Sequence, residues 1–364
     1  MAERRRILFV LPSLRGGGAE RAVVILLRHL DRSQFEPHLA LLDSVGPYLK
    51  ELPEDLEVHH LGVRRVRYAV PALAWLMRSL RPQVAVSSLI ELNLAMAAAT
   101  ALLPRGTKLL LREDTSVSAQ FDGFALGPKR WLYRHLYARA DRIICVADNV
   151  LNDLAANFGI PREKLLRIYN PVEIERVRQM AAEKGNPYPN SNPRFVAVGR
   201  LARVKGFDIL LEAMALARRE LPLAELVILG EGPLESELKR QARQLSLAAT
   251  AHFLGFQQNP YGCMKHADVF VMSSRYEGLP LVLLEALALG LPVAAADCPG
   301  GIREVIAGCP IARLSPPEDA AALADAMVSL YKSKPGLNNG SAEQALARFT
   351  AAEVVQQYER LLSA

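Results

Sequence analysis

Twice along its 364 residues this chain alternates short runs of Val, Leu and Ile with amphipathic stretches of helical period. In the first half, residues 7–11, 38–42, 84–87, 108–111 and 142–146 read as strands, with helical patterns between them at 19–30 and 92–102. The second half restarts the pattern. Strands are expected at 194–198, 225–229, 252–254, 269–272 and 292–296, and helices at 207–219, at 234–245 and after Pro280. A strand that is followed each time by a helix cannot pair with the next strand as a hairpin. It predicts parallel sheets covered by helices on both faces. The fold class is therefore α/β, with two doubly wound domains.

The break falls at Asn170-Pro171, which divides the chain into domains at 1–170 and 171–349. The polar stretch 185–193 reads as a mobile loop. Ser341 with Gln344, and Thr350 with Glu353, fit capping boxes and predict two closing helices, the last at about 350–364. An apolar fraction of 51% and a charged fraction of 23% suit a soluble globular chain with a core in each half. Arg4-Arg5-Arg6 before an apolar run could pass for a signal peptide, but Pro12 interrupts the run and a first strand fits better. No run approaches a membrane span, so a cytoplasmic protein is expected.

The four cysteines, Cys145, Cys263, Cys298 and Cys309, have no C-x-x-C spacing and no His at metal-ligand distance along the chain. They read as reduced structural thiols, and no metal site is expected. Charge is unevenly distributed. Residues 1–170 hold 24 Lys and Arg against 17 Asp and Glu, whereas the rest hold 20 against 21. An anionic partner of the first half is implied, either a membrane surface or a nucleic acid.

In doubly wound sheets, ligands bind beyond the carboxyl ends of the strands. Glu277 and Glu285 bracket a helix start there, in EGLPLVLLE, with Pro280 expected at the first helical position. Backbone N–H groups around Gly278 and Leu279 would favour an anion, and the two carboxylates could hold hydroxyl groups on either side of it. Arg200 and Lys205 lie on the loop after the first strand of the second half and suit a diphosphate. Arg203 reads as solvated. Gly230, Gly232 and Phe256 end the next two strands, where a nucleotide base could rest. Gly16-Gly17-Gly18 follows the first strand of the chain, without the Lys-Ser/Thr of a phosphate-binding P-loop.

The runs VGRLARVKGFDILLEAM, LVILGEGPLESEL, FLGFQQNP and ADVFVMSSRYEGLPLVLLEALALGLPVAAADCPGG, with the E-x(7)-E spacing, resemble the retaining glycosyltransferases of family 4. That resemblance implies a GT-B fold, two Rossmann-like domains facing across a cleft, with the acceptor on the first domain and the nucleotide-sugar donor on the second. It also implies that the final helix packs back on the first domain. By the resemblance, Glu285 would bond the ribose and Glu277 the transferred sugar. Arg200 and Lys205 would bind the diphosphate, and Gly17 and Gly18 would border the reaction centre. Relatives work without a bound metal or cofactor. Many carry a His where this chain has Leu111-Arg112-Glu113-Asp114, so Arg112 or Glu113 either contacts sugar or acceptor or forms a structural salt bridge.

The relatives that assemble polysaccharides imply a UDP-hexose or UDP-N-acetylhexosamine donor and a glycan acceptor, and the net positive charge of the first half favours a lipid-linked acceptor over a soluble one. Two basic and aromatic segments, 64–78 and 129–137, suit an anionic membrane interface and a peripheral location. Taken singly, each reads as aromatic rings packed in the core beneath solvated Arg. Other readings are a non-catalytic nucleotide-sugar-binding protein and a GT-B-fold epimerase. A nucleic-acid-binding protein would explain the basic half but not the paired carboxylates.

Overall fold

The computed structural model describes residues 4–63, 65–120, 126–183, 186, 188, 193–334 and 344–364. The chain divides into two compact units, residues 1–172 with 348–364, and residues 173–347. Most of the stretch 185–193, and Ser341 of the first capping box, lie outside the described residues.

The first unit carries β1 (Arg5–Leu11), β2 (Phe35–Leu41), β3 (Glu57–His60), β4 (Val84–Ser88), β5 (Lys108–Glu113), β6 (Arg142–Cys145) and β7 (Leu165–Arg167). They form one parallel sheet in the order β3-β2-β1-β4-β5-β6-β7. Its helices are α1 (Gly18–His29), α2 (Val70–Leu80), α3 (Ile90–Ala98), α4 (Leu126–Tyr137) and α5 (Asp148–Phe158). The order reverses between β1 and β4, which creates a crevice at their carboxyl ends.

The second unit begins with α6 (Ile174–Ala182) and β8 (Arg194–Val198). It continues through α7 (Phe207–Ala217), β9 (Glu225–Leu229), α8 (Glu235–Gln244), β10 (Ala251–Phe253), α9 (Tyr261–Lys265) and β11 (Val269–Met272). Then come α10 (Leu281–Ala288), β12 (Val293–Ala296), α11 (Ile302–Ile306), β13 (Ala312–Ser315) and α12 (Ala320–Ser333). The sheet is again parallel, in the order β10-β9-β8-β11-β12-β13, with its reversal between β8 and β11. On one face, Leu210, Leu211 and Met214 of α7 and Leu323 and Met327 of α12 bury the inward residues Phe195, Leu226, Ile228 and Val271.

Two parallel sheets with alternating helices are what the sequence pattern predicts. Strands β3, β7 and β13 are additions to it. They are three or four residues long at sheet edges, EVHH, LLR and ARLS, and their mixed polarity carries no strand signal. The expected helix at 92–102 ends early as α3 and closes in a 3-10 turn, Ala99–Leu102.

The last helix, α13 (Ala351–Ser363), belongs to the first unit. Thr350 caps it by accepting the Glu353 N–H, the N-cap half of the second capping box. Val354, Val355, Tyr358 and Leu362 are its buried face. Arg5 donates to the Leu362 carbonyl at 2.8 Å, and the Asp31 N–H donates to Glu359 at 2.9 Å. Among the described residues, no helix is long and apolar enough to cross a membrane.

Candidate active site

In the second unit, β8 and β11 are neighbours at the sheet reversal, so the loops that follow them must meet. Lys205 ends a 3-10 turn after β8, and Glu277 lies on the loop after β11. The Lys205 Nζ donates to Glu277 Oε1 at 2.6 Å, and the Ser274 hydroxyl donates to the same oxygen at 2.6 Å. Ser273 ties the two loops together by donating to the Lys205 carbonyl at 2.9 Å. Gly206, at φ +61°, makes this approach possible, because a Cβ there would stand 2.1 Å from the Ser273 carbonyl oxygen.

The loop after β12 pins Glu277 from the other side. The Glu277 N–H donates to the Pro299 carbonyl at 2.9 Å, and the Gly301 N–H donates to that of Gly278 at 2.5 Å. Glu285 is buried on α10, whose other residues are Leu, Val and Ala. A carboxylate in such surroundings is costly to bury unless it is hydrogen-bonded or paired. Pro280 is the N-cap of α10, with extended backbone, one residue earlier than the sequence reading places it. Gly278 and Leu279 are both buried in the turn before it.

Arg275 is a positioning residue that sequence reasoning missed. Its guanidinium donates twice to Asp208, at 2.8 and 2.7 Å, and once to the Arg203 carbonyl at 2.7 Å, and it pairs with Glu318 at 2.6 Å. Its N–H donates to the Val204 carbonyl, so the turn that carries Lys205 is clamped on two sides. Burial works to raise the Asp208 pKa, but the hydrogen bonds from Arg275 prevail and hold it below its ordinary value. The available signal was a lone Arg two positions before Glu277.

Arg200 is exposed, and its side chain has no partner among the described residues. Its loop is stitched to the one after β9. The Leu201 N–H donates to the Glu231 carbonyl at 2.9 Å, and the Gly230 N–H ties that second loop to the one after β10 by donating to the Gly255 carbonyl at 2.8 Å. A Cβ on Gly230 would stand 2.0 Å from the Gly199 carbonyl oxygen, and one on Gly232 would stand 2.4 Å from that of Leu201. Phe256 is exposed, and its N–H donates to the Glu231 carboxylate at 3.2 Å. Beneath Glu277, burial first and the Glu277 carboxylate second push the Cys298 thiol up to about 12, so it is no nucleophile.

In the first unit, Gly17 is the N-cap of α1 and Gly18 its first residue, after β1 at the sheet reversal. A Cβ on Gly17 would stand 2.0 Å from a Glu20 carboxylate oxygen, whereas Gly18 faces open space. Arg112 and Glu113 are both buried in the first unit. Arg112 is 1% exposed and ion-pairs with Asp114. It also donates to Ser88 at 3.0 Å, to Tyr358 at 3.1 Å and to Asn170. It therefore ties β5 to α13 and to the segment after β7, which is the salt-bridge alternative. Glu113 is fully buried and accepts from Asn93 at 2.8 Å and from Tyr137, and its Oε2 has no hydrogen-bond partner. Burial pushes its carboxyl up to about 8.

The aromatic residues of the two basic segments do not all pack inward. Trp75 is 71% exposed and Trp131 is 62% exposed, with Tyr68 exposed as well, whereas Tyr133 and Tyr137 are buried. Arg64 and the side chains of Arg67 and Lys129 lie outside the described residues.

Two parallel doubly wound units, each with its loops gathered at a sheet reversal, are the architecture of the GT-B fold. The family model for Glycosyltransferase Family 4 matches residues 16–176, and that for Glycosyl transferases group 1 matches residues 180–346. A Campylobacter jejuni protein is 32% identical over 305 residues, covering 80% of this chain and 81% of its own. That relative is an N-acetylgalactosamine-N,N'-diacetylbacillosaminyl-diphospho-undecaprenol 4-alpha-N-acetylgalactosaminyltransferase. EpsF of Bacillus subtilis, a putative glycosyltransferase, is 28% identical over 317 residues, covering 81% of this chain and 80% of its own. Among solved structures, Anabaena HepE in complex with UDP and glucose superposes with a TM-score of 0.79 at 21% identity, covering 99% of this chain and 100% of that one. Sucrose-phosphate synthase from Thermosynechococcus elongatus gives a TM-score of 0.83 at 19% identity, over 98% of each chain. The chain belongs to the family 4 glycosyltransferases.

Proposed function

We propose that this glycosyltransferase moves a hexosyl or N-acetylhexosaminyl group from a UDP-sugar to a lipid-linked glycan, with retention at the transferred carbon and without a metal or cofactor. The observation that carries the reading is the Lys205–Glu277 pair at 2.6 Å, on the loop that also carries Arg200, exposed and without a partner among the described residues. An ammonium already fixed by one carboxylate keeps two N–H donors for a phosphate oxygen and needs no reorganisation when charge develops there. Arg200 and Lys205 are assigned to the diphosphate, Glu277 to the sugar and Glu285 to the ribose. Gly278 and Leu279 complete the phosphate end, and Gly230, Gly232 and Phe256 the base end. Gly17 and Gly18 are assigned to the ligand-facing end of the first unit.

The glycosidic C–O bond breaks toward an oxocarbenium-like centre and the electron pair goes to the departing UDP. The acceptor hydroxyl attacks from the same face and its proton passes to the leaving phosphate. Electrostatic stabilisation of that phosphate is the main service asked of the protein. The lipid-linked acceptor draws support from the Campylobacter relative, and UDP from the HepE complex. The exposed Trp75 and Trp131 on the more basic half support docking at an anionic membrane surface.

Radiolabelled sugar transfer into an undecaprenyl-linked acceptor tests the proposal. Arg200→Ala and Lys205→Ala should each lower kcat by about a hundredfold or more, with a smaller loss of donor affinity. Unchanged turnover in both variants would overturn the assignment. Donor consumed without any acceptor would favour an epimerase or hydrolase.

A further inference from the structure

On the outer edge of the first unit's sheet, β2 and β3 run parallel with His38 opposite Glu57 and Ala40 opposite His59. Side chains two residues apart in a strand share a face, and here three with metal-ligating atoms converge. The His59 Nε2 and His38 Nδ1 are 3.3 Å apart, His38 Nδ1 and a Glu57 oxygen 3.4 Å, and His59 Nε2 and the other Glu57 oxygen 3.7 Å. Neighbouring ligand atoms around a tetrahedral zinc, with metal–ligand bonds of about 2.0–2.2 Å, stand about 3.3–3.5 Å apart. The first two spacings match the edges of such a polyhedron, and with one oxygen taken from Glu57 the three ligand atoms all lie within 4.8 Å of one another.

His38 adds a second observation. It is 3% exposed, and its Nε2 is buried with no hydrogen-bond partner. The Glu36 carboxylate lies 3.6 Å from that nitrogen, on the side away from the cluster. Metal-bound imidazoles commonly turn their second N–H toward a carboxylate, which fixes the ring and strengthens the ligand. Two imidazoles and one carboxylate, with no thiolate, suit a divalent transition ion.

We propose that His38, Glu57 and His59 form a site for a divalent transition-metal ion, best matched by zinc, that staples the edge strand β3 to β2. An edge strand is paired on one side only, and β3 has four residues, so a cross-strand ligand set holds it where few hydrogen bonds can. Two neutral imidazoles hydrogen-bonded to each other would give a similar 3.3 Å contact but no metal affinity.

The experiment uses the full chain without a histidine tag, stripped with chelator and titrated with zinc chloride by calorimetry and thermal denaturation. One equivalent should bind, and the unfolding midpoint should rise and return when chelator is restored. His59→Gln and Glu57→Gln should each weaken that binding by at least about tenfold, while their midpoints in chelator stay near that of the parent chain. Glu57 is 65% exposed, so its variant reads out metal binding with little disturbance of the core. No shift with zinc, or variants that bind zinc as the parent does, would overturn the proposal. Neither result depends on the sugar-transfer reading.

Discussion

Glu113 presents a simple conflict at the residue scale. It is ionisable, fully buried and bonded through one oxygen, while its other oxygen has no hydrogen-bond partner. Burial pushes its carboxyl from 4.5 to about 8, so the folded chain holds a proton that the unfolded chain has released. A raised carboxyl pKa stabilises the fold in full below the unfolded value, and that contribution is lost as pH rises through the folded one. Stability should therefore decline between about pH 5 and about pH 8. Glu113→Gln should flatten the decline, because the amide oxygen can still accept from Asn93 and Tyr137 without a charge. Unfolding midpoints measured across that range decide it, and equal slopes for the two chains would refute it. Which residues carry charge was legible in the sequence. That Glu113 and Arg112 are both buried while Arg200 stays outside was not, because both faces of β5 are covered by segments distant in sequence, Tyr137 on one and Tyr358 on the other.

At the scale of elements, α13 shows how a remote segment completes a core. Its residues return to the first unit, bury Tyr358 and Leu362, and give Arg112 one of its partners through the Tyr358 hydroxyl. The Thr350 cap and the helix were readable from the capping box. What the helix covers was not, since 246 residues separate Arg112 from Tyr358. Leu362 is completely buried, so Leu362→Ala should destabilise by about 2–5 kcal/mol. A urea unfolding curve followed by circular dichroism should move to lower denaturant, and an unmoved curve would mean that α13 contributes little to the fold. The short edge strands β3, β7 and β13 teach the converse lesson. Three or four residues of mixed polarity leave no periodicity to detect, and they become strands because a neighbour offers them a free edge.

For the whole molecule, the uneven charge and the exposed rings bear on location. The first 170 residues are the more basic part, and Trp75 and Trp131 stand in solvent there at a cost that a lipid interface would remove. The chain should co-sediment with anionic vesicles, less so as salt is raised, and Trp75→Ala with Trp131→Ala should weaken this without lowering the unfolding midpoint. Absence of salt-sensitive co-sedimentation would count against membrane docking.

The sequence by itself determined the class of fold and which residue types stand on each strand-end loop, because both are written in local terms. Strand and helix periods recur within a few residues, and E-x(7)-E, Arg200 and Lys205 sit at fixed offsets from their own strands. Only the tertiary structure decided which of these loops touch. Lys205 meets Glu277 across 72 residues because β8 and β11 are neighbours, and His38 meets Glu57 and His59 because β2 and β3 pair in one register. Strand order and register are set by how whole hydrophobic faces pack, a sum over the sheet that no short stretch of sequence contains.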